Sequence, residues 1–100
     1  MREGKIILPV EGNNGEDISA AHVWLTRMLI RYFGGLTVQD ARGSWLDQGR
    51  VYTEDVKVYV VAGSSRNQLR RYALKAGCEA GQKSIYWVDF DGNVHIEEVY

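Results

Sequence analysis

The sequence predicts an α+β domain of order βαββαβ with one further C-terminal strand, an antiparallel sheet carrying two helices on one face. Three observations lead there. Apolar residues recur at helical spacing in two separate stretches, between Asp17 and Gly34 and between Ser64 and Gly81. β-Branched and alternating runs fill the segments around them. No repeat, low-complexity tract or linker divides the 100 residues, which therefore read as a single domain, 1–100.

Residues 4–8, GKIIL, form the first strand, expected to stop before Pro9 because proline has no N–H for the ladder. The glycines and asparagines of EGNNGED then make a turn. Ile18, Ala21, Leu25, Met28, Leu29 and Tyr32 share one helical face, with Asp17 or Ser19 as the N-cap and Gly34-Gly35 as the stop. A hairpin follows. A three-residue loop of Asp47, Gln48 and Gly49 sets Trp45 opposite Val51, Arg42 opposite Glu54, Val38 opposite Val58 and Leu36 opposite Val60. Leu36, Val38, Val56, Val58 and Val60 then face the helices, while Thr37, Gln39, Lys57 and Tyr59 face away. A bulge at Gly43 would reverse the residues nearest the turn.

In the second helix Leu69, Tyr72, Ala73, Ala76 and Ala80 form the apolar stripe, with Ser64 or Ser65 as cap and Gly81 as stop. SIYWVDF, residues 84–90, is apolar at both parities and is expected to be covered on both faces. Asp91-Gly92 turns the chain into a last half-polar strand. Two helices on one side of such a sheet is the ferredoxin-like arrangement. A proline so near its normally central first strand is the one conflict.

Composition narrows the function classes. A net charge of −1 argues against a nucleic-acid partner. One cysteine excludes an internal disulfide and any multi-cysteine metal site, and no cofactor is implied. The apolar run Ile6–Val10, broken by Pro9, is too short for a signal peptide or a membrane span, so the chain reads as cytoplasmic with no membrane partner.

Two constellations are candidate ligand sites. Arg42 with Glu54, near Trp45, is either a cross-strand pair or a charged and stacking contact for a ligand. Arg66 and Arg70 open the second helix beside Ser64 and Ser65, as a phosphate site would, or as an ordinary capped and solvated helix would. His22 and His95 have no metal-ligand spacing, Cys78 has no catalytic signature, and Asp89, Asp91, Glu97 and Glu98 read as solvated turn and edge charge. On the sheet face away from the helices, Tyr59, Val61, Ile7, Trp45 and Tyr86 form an apolar surface that a homodimer or a protein partner would cover.

Gly35, Leu36, Thr37, Ala41, Gly43, Trp45, Gly49, Glu54 and Gln82 together follow a pattern that resembles a small bacterial and phage-borne family. The resemblance spans residues 33–90 and implies a ferredoxin-like fold but no mechanism. Members often carry an exported lipid anchor, a feature without a counterpart in the signal-free N-terminus here. The leading expectation is a non-enzymatic binding or interaction domain, dimeric, of the phage or mobile-element accessory kind. The alternatives are a binder of a small phosphorylated or nucleotide-like ligand through Arg66, Arg70, Arg42 and Trp45, and a small dimeric enzyme using His22, Glu54 and Tyr32 for proton transfer.

Overall fold

β1 (Arg2–Pro9) runs through the middle of a five-stranded antiparallel sheet in the computed structural model, which describes residues 2–99. α1 (Ser19–Phe33), β2 (Thr37–Asp47), β3 (Arg50–Gly63), α2 (Arg66–Glu79), β4 (Ser84–Val88) and β5 (Val94–Glu98) follow in sequence. The strand order is β2-β3-β1-β4-β5, the ferredoxin-like order extended by β5 at one edge. Pro9 is tolerated because β4 pairs only with Lys5, Ile6 and Ile7, so the second ladder ends before proline is reached.

The core lies between the helices and one side of the sheet. Ile6 and Leu8 from β1, Tyr59 and Val61 from β3, and Ile85 and Trp87 from β4 meet Ala21, Leu25 and Leu29 of α1 and Leu69, Ala73 and Ala76 of α2. Small residues on α2 let that helix lie close to the sheet. Gly4 is needed for the same reason, since a Cβ there would sit 2.5 Å from Leu69 Cδ2. Both helical stripes are as expected at these positions, but Tyr32 is half exposed. The N-cap of α1 is Ile18, without a side-chain cap, and Asp17 instead accepts from the Ser19 N–H at 2.9 Å. Ser65 caps α2.

The hairpin corrects the sequence reading. Its loop has two residues, Gln48 and Gly49, with φ of 51° and 76°, and Asp47 pairs with Arg50. Positive φ at both central residues makes this a primed turn, whose twist suits the flanking strands. The register is therefore one residue away from that expected: Trp45 faces Tyr52, Gly43 faces Glu54, Arg42 faces Asp55 and Val38 faces Tyr59. One residue of slip turns a strand over. Leu36 and Val38 do lie on the helix side, but on β3 it is Lys57, Tyr59 and Val61 that join them. Val58 and Val60 point to the open face, and so does Val56, which is buried there beside Gly43. β4 is likewise covered on one face only, since Tyr86 remains 38% exposed.

Candidate functional site

The open face of the hairpin holds the most unusual chemistry. Trp45 and Tyr52 are a cross-strand pair whose rings stack at 5.9 Å with an interplanar angle of 17°. The Arg50 guanidinium lies over the Tyr52 ring at 5.7 Å. Two residues further along the same face stands Glu54, opposite Gly43, with Val56 beyond it. Gly43 offers no side chain, so Glu54 has apolar and aromatic neighbours along its own face and an empty position across the ladder. Partial burial raises its carboxyl above the ordinary value. Among the described residues no cation pairs with it. A carboxylate that has lost water and gained no counterion, beside stacked aromatic rings, suits a cation carrying a flat ring system.

The five candidate residues do not form one site. Trp45 and Glu54 share the open face. Arg42 points to the other side and pairs with Asp55 at 3.3 Å, so the expected Arg42–Glu54 pair does not exist. On α2, Arg66 sits 3.6 Å from Asp89, and Arg70 bonds Glu97 at 2.9 Å. The Arg66 N–H bonds the Ser64 carbonyl and the Gln68 N–H reaches the Ser65 hydroxyl, so two of the donors a phosphate would need are already engaged. Tyr52 joins the site only through the observed register, which sets it opposite Trp45.

A second polar cluster departs from the sequence expectation at Asp89, while Asp91 stays exposed as expected. Asp89 is 1% exposed rather than solvated. Its Oδ1 accepts from the backbone N–H groups of Asp91 and Asn93, and its Oδ2 accepts from His95 Nε2 at 2.8 Å. The His95 bond, helped by those backbone donors and opposed by burial, holds this carboxyl far below the usual carboxylate range. His95 stacks on Trp87 at 4.2 Å, and Arg66 covers the same indole. With every acceptor position engaged from within the chain, this cluster fastens the β4–β5 turn to α2. The third cluster is His22 with Tyr59. His22 Nε2 lies 2.7 Å from the Pro9 carbonyl, which can only accept, so that nitrogen donates, and Nδ1 shares a hydrogen bond with the Tyr59 hydroxyl.

No group of three or more metal-ligating side chains occurs among the described residues, and no described helix is long and apolar enough to cross a membrane.

No protein-family model and no curated protein sequence matches the chain. Solved structures of similar shape do. A phage SAM lyase in complex with S-methyl-5′-thioadenosine superposes with a TM-score of 0.73 at 13% identity, over 97% of this chain and 88% of that one. The same kind of enzyme in its apo state gives 0.71 at 12% identity, over the same shares. The PII-like protein CutA from Nostoc sp. PCC 7120 gives 0.52 at 14% identity, over 99% of this chain and 81% of that one. The shared property is the ferredoxin-like fold, which this chain adopts over nearly its whole length.

Proposed function

We propose that the chain binds an adenosyl sulfonium or thioether of the S-adenosylmethionine class on its open sheet face and acts on it as a lyase. The observation that carries the proposal is Glu54, a partly desolvated carboxylate with no counterion among the described residues, beside the stacked Trp45–Tyr52 pair. An adenine ring stacks on such aromatics, and the positive sulfur of a sulfonium is what an unpaired carboxylate attracts. The likeness to a phage enzyme named for SAM, and solved with S-methyl-5′-thioadenosine, supports the ligand class. It also supports a phage or mobile-element setting. Calorimetry with S-methyl-5′-thioadenosine and chromatography of S-adenosylmethionine incubations test the reading. Saturable binding, weakened at least tenfold in Trp45→Ala and Glu54→Gln, and release of the thioether nucleoside are expected. Wild-type protein that binds neither compound would sink it.

A specific observation favours a second role for the same face. Val94, Ile96 and Tyr86 are 55%, 69% and 38% exposed there, and Ile7, Val58 and Val88 continue the surface. A homodimer, or another homo-oligomer, would cover it, since a flat sheet leaves half of any bound ligand wet and functional pockets bury most of theirs. This is the interaction-domain reading, and it stands without any catalysis. Light scattering after size exclusion decides it: a strict monomer at high micromolar concentration overturns the reading.

A further inference from the structure

α1 covers β1 and β3 but stops short of β2, leaving a groove of about 370 Å³ between that helix and the hairpin. Its walls are Val23 of α1 and Val38 of β2, 48% and 42% exposed. Its floor is Tyr59 with His22, whose two ring nitrogens are both engaged, one by the Tyr59 hydroxyl and one by the Pro9 carbonyl. Burial raises Tyr59 above the ordinary phenol range, opposed by a hydrogen bond with Thr26 and by the charge of Lys57, so its hydroxyl stays neutral. The rim carries two cations. Lys57 is held by Asp40 at 2.6 Å, whereas Arg27 has no carboxylate partner among the described residues.

We infer that this groove binds a small organic anion with an apolar body, such as a medium-chain or aromatic carboxylate. Two exposed valines on facing walls offer an apolar slot above the uncharged Tyr59 phenol. The unpaired guanidinium at the rim, strengthened by Lys57, fixes the sign of the ligand, and its planar fork matches a carboxylate. The volume falls at the small end of ligand pockets, roughly 300–1,000 Å³. This side of the sheet is the opposite one from Glu54, so the inference is independent of the function proposed above.

The probe is 8-anilinonaphthalene-1-sulfonate, an aromatic anion whose fluorescence rises on binding, with octanoate and octanol as competitors. One saturable site per chain is expected, displaced by octanoate at least tenfold more effectively than by octanol. Arg27→Glu, at a solvent-exposed position, should weaken it at least tenfold with an unchanged circular dichroism spectrum, and Val23→Asp should abolish it. Val58→Ser, on the other face, should leave it unchanged. Non-saturable binding, equal competition by octanol, indifference to Arg27→Glu, or loss in Val58→Ser would each overturn the inference.

Discussion

The two faces of the sheet are made by the same strands under opposite demands. On the covered face, Ile6, Leu8, Tyr59, Val61, Ile85 and Trp87 are all at or below 2% exposed, and their charged neighbour Asp89 is bonded by a histidine and two backbone amides. On the open face, Val94 and Ile96 stand more than half in water, and Glu54 is partly desolvated with no cation paired to it among the described residues. The covered face bonds its buried carboxylate from within, although the buried Trp87 Nε1 has no hydrogen-bond partner among the described residues. The open face leaves Glu54 without a paired cation among the described residues, the feature on which the proposed binding role rests.

Breaking the covered face should cost most. Leu25→Ala removes a fully buried side chain from the α1–sheet contact and is expected to lower unfolding free energy by about 2–5 kcal/mol in urea titrations. Asp89→Asn comes next. It leaves the buried acceptor position uncharged, weakens the bond from His95 and strips Arg66 of its counterion, a loss of about 1–3 kcal/mol at neutral pH. The folded-state carboxyl lies below its unfolded value, so the wild-type contribution is complete above about pH 4 and disappears as pH falls further. Thermal melts from pH 7 to pH 2 should therefore show a steep acid limb that is shallower in Asp89→Asn.

Substitutions on the open face should act on association and binding instead. Ile96→Asp, at a 69% exposed position, is expected to shift stability by less than about 0.5 kcal/mol and, on the proposal that copies pack through this face, to lower the mass read by light scattering. Glu54→Gln should have the smallest thermal effect and the opposite sign. Relief of an uncompensated carboxylate raises the melting midpoint by roughly 1–3 °C even as ligand binding falls. A Glu54→Gln protein less stable than wild type would erase the contrast between the faces.

The element order and both helices were legible because a period near 3.6 is hard to counterfeit over fifteen residues. The orientation of β3 was not. Val56, Val58 and Val60 lie at one parity and Tyr59 and Val61 at the other, so the apolar pattern supports either face and only the turn breaks the tie. The turn itself was disguised, since asparagine or aspartate usually precedes the glycine in a primed loop and glutamine does so here. Trp45 and Glu54 could be singled out as residue types, but their shared face and the partner Tyr52 depend on that same register. Asp89 was hidden for another reason. An Asp-Phe-Asp-Gly run reads as wet turn, and nothing in composition says which aspartate folds inward to gather the loop's amides.

The two-residue tip makes the β2–β3 arm a ruler with discrete marks. Growth that keeps the loop must insert one residue into each strand, advancing the tip by about 3.4 Å per step. A step inserted between Glu54 and the Trp45–Tyr52 pair also exchanges the sides on which the rings emerge, so such growth returns them to the Glu54 face only at every second length.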